Sequence, residues 1–248
     1  MCTALKYLDA SSRPYVGRTL ELELLLPSQL GVVPAGTGFT SQVPGKDPVT
    51  WTSQHAFIGA GAPRSVPQPG ASIDPSSLVV IDGLNEAGLI VNANAYPDTG
   101  ETPDAGGPGA VLEAADLGSW LLGNFASVAE VRAALAQQPI NATRMQMAGN
   151  APFPVHFMVT DSSGASITLE GRNGAFVIHD NPVGVLTNGP SFDWHLINLG
   201  NWTHLDNTDH SQTTFGSMTV TQPDSGIATE LLPGSNTAVG RFVRAVYY

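Results

Sequence analysis

The chain of 248 residues has a single cysteine, and it is residue 2. No disulfide can form within the chain, so the fold has to stand on buried apolar surface. The composition allows this: apolar residues make up 42% and charged residues only 12%, and a chain of this length encloses a sizeable core. The 27 glycines and 19 prolines point to many strands and turns rather than to a helical bundle. The position of the cysteine adds a second constraint. Removal of Met1 ahead of a small residue leaves a thiol and a free α-amine on one carbon. Such groups ordinarily titrate at about 8.5 and at about 7.7 to 8.0, so the amine can serve as base to the thiol.

Alternation and turn chemistry give the order of elements. Residues 2–8 and 15–25 read as strands, with Leu20, Leu22 and Leu24 on one face of the second. Residues 27–47 and 60–77 are rich in Pro, Gly and Ser and read as surface loops, the first alternatively as an irregular hairpin. Residues 78–96 give two apolar runs around a turn at Asn85-Glu86, and residues 97–110 a flexible loop. Helical spacing covers 112–124. Ser127 and Glu130 form a capping box that opens a second helix running through Gln137. Residues 154–160, 166–171 and 175–179 form a meander with polar turns. A buried strand over 183–187 ends at Asn188, and 192–202 and 239–247 read as short helices. Strands, then helices, then strands, with no repeat and no dividing linker, predict one α+β domain over residues 1–248, its helices packed outside antiparallel sheets.

Charge and motif spacing narrow the function. A net charge of −11 with no basic stripe argues against nucleic acid. No apolar run reaches membrane-spanning length, and the start lacks the basic and apolar regions of a signal peptide. With Met1 as native start the expected location is cytoplasmic; with an export signal trimmed away it is periplasmic or secreted. The six histidines (55, 156, 179, 195, 204 and 210) have no metal-ligand spacing, and no phosphate-binding glycine motif is present, so neither metal nor cofactor is expected. Trp51, Phe57, Tyr96 and Trp120 suit either an apolar pocket or the core.

Several segments coincide in order over nearly the whole chain. They are Met1-Cys2-Thr3, Gly17-Arg18-Thr19-Leu20-Glu21, the run DGLNEAGL from Asp82 to Leu89, and WLLGNF from Trp120 to Phe125. The run DNPVGVLTNGPSFDWHLINL from Asp180 to Leu199 follows, then Leu232-Pro233-Gly234 and Arg241-Phe242-Val243-Arg244. In this set the chain resembles the choloylglycine hydrolase family, which includes bile salt hydrolases and penicillin V acylases. The resemblance implies a four-layer αββα sandwich, two antiparallel sheets between helices, of the N-terminal-nucleophile hydrolase kind. It also implies cleavage of a linear amide through an acyl-thioester on Cys2. By motif, Cys2 is the nucleophile and its α-amine the general base, then the acid. Arg18 is the cation beside the thiol, where it favours thiolate. Glu21 stands where many members have Asp and accepts from the α-amine. Asn188 serves the oxyanion site, and Arg241 completes the set, with Arg244 one turn away competing. Taken singly these residues have plainer readings: Arg18 and Glu21 as solvated strand residues, Asn188 as a turn residue before Gly-Pro, Arg241 as a helix-surface charge.

The chain departs from the family pattern twice. Bile salt hydrolases of the Gram-positive type carry an asparagine just before an aromatic residue and proline, whereas here the run from Ile90 to Pro97 is IVNANAYP. Asn94 is the expected second oxyanion contributor, with Asn92 close behind, because alternation puts both on one strand face. Asn92 and Tyr96 are the expected substrate contacts. Relatives also continue beyond the Arg-Phe-Val-Arg helix, whereas this chain stops at Tyr248. The C-terminal part of the family fold is therefore expected to be absent, in a fragment or a natural short form, leaving an exposed sheet edge. Relatives are often tetramers, so a homotetramer is one assembly open to the chain. The expected partner is a small amide with a bulky apolar acyl group: a glycine- or taurine-conjugated bile salt, penicillin V or an acyl-homoserine lactone. Two rivals stand beside the cysteine amidase. One is a truncated, non-catalytic bile-salt-binding relic; the other is a metal-dependent hydrolase, which a chelator would inactivate.

Overall fold

The N-terminal hairpin pairs β1 (Cys2–Leu8) with β2 (Pro14–Leu20) over its full length, from Cys2↔Leu20 to Leu8↔Pro14. Its turn hangs on Asp9, whose carboxylate accepts from the N–H groups of Ser11 and Arg13. The computed structural model describes residues 2–21, 28–64, 74–96, 109–141, 144–145, 151–152, 154–172, 175–206, 208–221 and 231–248. After the hairpin come β3 (Gln29–Val33), a small antiparallel pair of β4 (Gly38–Ser41) and β5 (Val49–Thr52), and β6 (Phe57–Pro63). A second hairpin joins β7 (Leu78–Asn85) to β8 (Ile90–Ala95). Its turn uses Gly88 at φ +90° and is closed by Asn85, whose Oδ1 accepts from the N–H groups of Ala87 and Leu89.

The middle of the chain supplies β9 (Leu112–Glu113), α1 (Leu117–Asn124), α2 (Val128–Leu135) and β10 (Ile140–Asn141), which pairs in parallel with β9. The short pair β11 (Arg144–Met145) and β12 (Ala151–Pro152) precedes the meander of β13 (Val155–Thr160), β14 (Ser166–Arg172) and β15 (Ala175–Asp180). Then come β16 (Val185–Leu186), α3 (Phe192–Asn198), the hairpin of β17 (Gln212–Phe215) and β18 (Met218–Thr221), and α4 (Ala238–Tyr247). Seven antiparallel strands form the main sheet in the order β15-β14-β13-β8-β7-β6-β3, and a smaller sheet has the order β16-β1-β2.

Alternation divides the main sheet into two unlike faces. Val91 and Ala93 of β8, Phe157 and Val159 of β13, and Ile167 and Leu169 of β14 pack with Leu117, Leu121 and Leu122 of α1 and with Val128 and Val131 of α2. Helix α1 comes so close to β7 that a Cβ on Gly118 would lie 2.3 Å from the carbonyl oxygen of Val80. On the other face Met158 joins Ala4 of β1, Val185 and Leu186 of β16, Phe192 of α3 and Phe242 of α4 in a second apolar cluster. Helices thus lie outside two antiparallel sheets, the four-layer αββα arrangement.

Three expectations change. Residues 27–47 are partly sheet: β3 joins the main sheet because β6 pairs with it from Gln29↔Gly61 to Val33↔Phe57. Phe57 to Pro63 is strand, so the second loop begins later than residue 60. The helix expected from residue 112 starts at Leu117, because Leu112 and Glu113 pair with β10 and the Glu113 N–H donates to Ser41 Oγ at 2.8 Å. The β17–β18 hairpin was not foreseen. Leu22 and Leu24, most of the 97–110 loop, and the turn residues Asn173 and Gly174 lie outside the described residues. Among the described residues β2 is an outer strand of the small sheet, with Tyr15 and Leu20 exposed.

Candidate active site

Strand register assembles the site. Residue Ala4 of β1 faces Arg18 of β2 on one side and Leu186 of β16 on the other. Both pairings are antiparallel, so two residues back along β1 the chain brings Cys2 beside Asn188, just beyond β16. Cys2 is buried at 1% exposure, and its backbone nitrogen donates to Asn188 Oδ1 at 2.9 Å. Arg18 is the diagonal neighbour of Cys2 on the same strand face.

Arg241 closes the cluster from α4. The helix begins at Thr237, whose hydroxyl accepts from the Gly240 N–H, and this sets Arg241 in the first turn. Its Nη2 donates to Asn188 Oδ1 at 2.7 Å, and its Nη1 donates to Thr3 Oγ1 at 2.6 Å and to the Cys2 carbonyl oxygen. Burial pulls the guanidinium below its ordinary value, opposed by the charges of Glu21 and Cys2. Glu21 itself sits just past β2 and is exposed. Arg244, the competitor, turns away: it donates to the carbonyl oxygens of Pro233 and Ser235.

Arg18 occupies a second polar cluster. Its Nη1 donates to both carboxylate oxygens of Asp82, at 3.0 and 2.8 Å, and to the Ala93 carbonyl at 3.0 Å. Its Nε and Nη2 are buried without a partner among the described residues. Asn92 donates to Asp82 Oδ1 at 2.8 Å, as expected from the register Asp82↔Asn92 across the hairpin. Burial pushes the Asp82 carboxyl above its ordinary value, opposed by Arg18 and by the Asn92 amide. Asp82 was missed as a site residue, although it opens the run DGLNEAGL and sits three positions before the buried Asn85 that closes the turn.

The geometry gives Asn94 a different place from the one expected. Asn92 and Asn94 do share a strand face, but they meet different neighbours. The Asn94 amide nitrogen donates to the carbonyl oxygens of Leu186 and Thr187, at 2.9 and 3.0 Å, so it holds the strand that carries Asn188. Tyr96 is also set back: it is 3% exposed, with its ring stacked on His156 at 4.6 Å. Trp120 of α1 and Phe57 of β6 are buried in the core, and Trp51 stacks on Phe39 at 5.0 Å.

Three unforeseen residues lie behind Asn188. His156 and Glu170 are fully buried and 3.0 Å apart, and His156 Nε2 is 3.0 Å from the Thr187 carbonyl oxygen. His195 donates from Nε2 to the Asn188 carbonyl at 3.2 Å; burial lowers it below the ordinary imidazole value, against the effect of that bond. The sequence signal for His156 and Glu170 is a polar residue at an inward position of a strand whose alternate residues are apolar; His195 lies on α3 and has no such signal. Among the described residues no group of three or more His, Cys, Asp or Glu side chains is arranged to hold a metal, and no helix is long and apolar enough to cross a membrane.

A buried thiol at residue 2, an amide oxygen on its backbone nitrogen, a guanidinium on its carbonyl and a second arginine diagonal to it make an arrangement suited to acyl transfer. Comparison with known proteins agrees: the family described as linear amide C–N hydrolases, choloylglycine hydrolase family, matches residues 2–248. The chain belongs to the choloylglycine hydrolase family. The conjugated bile acid hydrolase of Lactobacillus acidophilus is 29% identical over 258 residues, covering all of this chain and 74% of that protein. The penicillin V acylase of Pectobacterium atrosepticum is 28% identical over 256 residues, covering all of this chain and 59% of that protein. The crystal structure of the C2A mutant of the Clostridium perfringens conjugated bile acid hydrolase superposes with a TM-score of 0.81 at 27% identity, over all of this chain and 71% of that one. As a choloylglycine hydrolase family member, the chain is a hydrolase of linear amide C–N bonds.

Proposed function

We propose that this hydrolase works through Cys2 as an N-terminal nucleophile and deconjugates N-acyl amino acids, with glycine- and taurine-conjugated bile salts as substrates. The observation that carries the reading is the bond from the Cys2 nitrogen to Asn188 Oδ1, with Arg241 on the same oxygen and on the Cys2 carbonyl. Once Met1 is removed that nitrogen is the α-amine. Donation to Asn188 fixes the direction of its lone pair, and the amine takes the thiol proton. Arg18, diagonal to Cys2 on the same strand face, keeps its Nε and Nη2 without a hydrogen-bond partner among the described residues, and in this reading they serve the reacting groups.

The thiolate attacks the amide carbonyl, and the carbonyl π electrons move to oxygen. An amide NH₂ has two hydrogens, and Asn188 Nδ2 uses one on the Ala95 carbonyl at 2.6 Å. The other serves the oxyanion. The intermediate collapses, the C–N bond breaks, and the α-ammonium returns its proton to the leaving amine. Water, deprotonated by the same amine, then splits the thioester to release the acid and restore the thiol. Glu21 acts through its charge on Arg241.

The substrate choice rests on the bile acid hydrolases among the relatives, and the penicillin V acylase relative makes penicillin V the second reading. The test is intact mass together with hydrolysis of glycocholate, penicillin V and an acyl-homoserine lactone, with Cys2→Ser alongside. The expected result is a chain without Met1 that releases glycine from glycocholate, and a silent Cys2→Ser. Preferential turnover of penicillin V moves the substrate reading to the acylase. A folded chain without Met1 that binds glycocholate and turns over none of the three is a binding relic, and the enzyme reading falls.

A further inference from the structure

We propose that Glu170 and His156 form a buried brace that sets the position of Asn188, and through it the reactivity of Cys2. The inference rests on the reading of Asn188 given above. It starts from a weakness in the fold: β16 has only two residues and, among the described residues, pairs with a strand on one side alone, through Ala4↔Leu186 and Leu5↔Val185. Two ladder pairs are a poor anchor for a residue that must be placed within a fraction of an ångström.

Side chains take the place of the missing neighbour. The Thr187 carbonyl accepts from both His156 and Asn94. His156 spans the two elements: its Nε2 donates to the Thr187 carbonyl oxygen and its Nδ1 shares a hydrogen bond with Glu170 Oε1, each at 3.0 Å. Glu170 Oε1 also accepts from the Phe192 N–H at 2.9 Å, at the start of α3. That helix carries His195, which donates to the Asn188 carbonyl. The circuit closes: Asn188 is joined through Thr187 to His156, through Glu170 to α3, and through His195 back to Asn188. All of its side chains are at most 1% exposed apart from Asn188 itself.

Stability alone is a poor reason for this pair. A buried ion pair is often no better than well-packed apolar residues of the same volume. Glu170 Oε2 has no hydrogen-bond partner among the described residues and meets His179 Nε2 only at 3.8 Å, which adds a poorly compensated burial. Strands β13 and β14 already pack through their opposite faces. What the brace does that apolar residues would not do is fix a carbonyl and a helix start on either side of Asn188. His156 and Glu170 are therefore positioning residues, not groups that touch substrate.

The test measures glycocholate hydrolysis and, independently of any substrate, the rate at which iodoacetamide alkylates Cys2, with thermal unfolding as control. The variants are Glu170→Gln, His156→Gln, Asn188→Ala and the double variant of Glu170→Gln with Asn188→Ala. Glu170→Gln and His156→Gln are expected to lower kcat by about 10²-fold with KM nearly constant, the loss typical of a misplaced reacting group. Cys2 alkylation should slow in both. The double variant should be no slower than Asn188→Ala alone, because the brace acts through that residue. His195→Gln, which keeps a donor, should retain far more activity than His195→Phe, and this pair decides the matter if the Glu170 and His156 variants do not fold. A Glu170→Gln enzyme with unchanged kcat and alkylation rate, beside an impaired Asn188→Ala, overturns the brace alone. Losses that multiply in the double variant overturn it too. An Asn188→Ala enzyme with unchanged kcat and alkylation rate overturns both the brace and the reading of Asn188 beneath it.

Discussion

The two faces of the main sheet are built from the same strands one residue apart, yet they have opposite chemistry. Phe157 and Val159 of β13, with Ile167 and Leu169 of β14, face the helices and are buried in an apolar cluster. His156 of β13, Glu170 of β14, and Asn92 and Asn94 of β8 face the small sheet, are equally buried, and are polar. The apolar face gains from water exclusion in proportion to area and needs no particular direction. The polar face has to be directional, because each buried polar group needs a partner. Its bonds lead to two places, the strand that carries Asn188 and the carboxylate that holds Arg18. Strand alternation thus lets one sheet separate stability from chemistry, and substitutions on the two faces should separate in the same way.

The largest expected effect falls on chemistry alone. Cys2→Ala should abolish amide hydrolysis, because it removes the thiol that the proposed reaction uses as nucleophile, while thermal unfolding shifts little. Residual turnover above background by the pure variant would remove Cys2 from the mechanism. Next comes an effect on stability alone. Phe157→Ala should destabilise the fold by about 3–5 kcal/mol, the usual range for emptying a buried aromatic site. At a temperature where the variant is folded, kcat per folded molecule should stay near that of the wild type, and denaturant titration with active-site counting would check both. A large fall in kcat with normal stability would mean that the two faces are not separable. Third, Asn188→Ala should lower kcat by about 10²- to 10³-fold, the loss typical of an oxyanion-site donor. Its unfolding midpoint should move far less than that of Phe157→Ala.

This division also explains how much the sequence revealed. The meander over 155–180 and the hairpin over 78–95 have clean alternation and strong turn residues, and both stand where they were expected. The Ser127 half of the expected capping box holds, since its hydroxyl accepts from the Glu130 N–H, while the Glu130 carboxylate reaches one residue further back and accepts from the N–H of Ala126. Strand β3 was hidden because a segment dense in Pro and Gly becomes strand only when β6 offers it a ladder. The β17–β18 hairpin was hidden because every residue in it is exposed, so alternation leaves no apolar stripe to read. Within the site, Cys2, Asn188 and Arg241 could be named by motif, and they do meet. Asn94 could be given a face but not a neighbour, since alternation says which side of a strand a residue takes and not which backbone lies opposite. His156 and His195 were passed over because histidines were read for metal spacing alone, and Glu170 because its segment was read only as a strand. Their meaning depends on Thr187 and Phe192, which only the packing of β16 and α3 brings near.

The smallest effect tests the edge of the comparison, where a polar residue serves the apolar side. Asp161 follows directly on β13 and is 6% exposed; its carboxylate accepts from the N–H of Val128, the first residue of α2, at 2.9 Å and from the N–H of Ser163 at 2.9 Å. Burial alone would raise its pKa. The Ser163 hydroxyl and the N–H groups of Val128, Ser163 and Ala165 outweigh burial, so the carboxyl titrates below its ordinary value. An acid whose pKa is lower folded than unfolded stabilises the fold above its unfolded value, and that contribution is lost as pH falls through the folded one. Asp161→Asn should therefore cost about 1 kcal/mol near neutral pH, as for the loss of a helix cap. The gap between variant and wild type should narrow as pH falls below about 4, the ordinary value for an aspartate. Hydrolysis should be unaffected, because the carboxylate docks α2 onto the apolar face and touches nothing near Cys2. Chemical denaturation at neutral and acid pH would show it, and a gap that widened in acid would mean that Asp161 is held in its protonated form, with the opposite role in seating the helix.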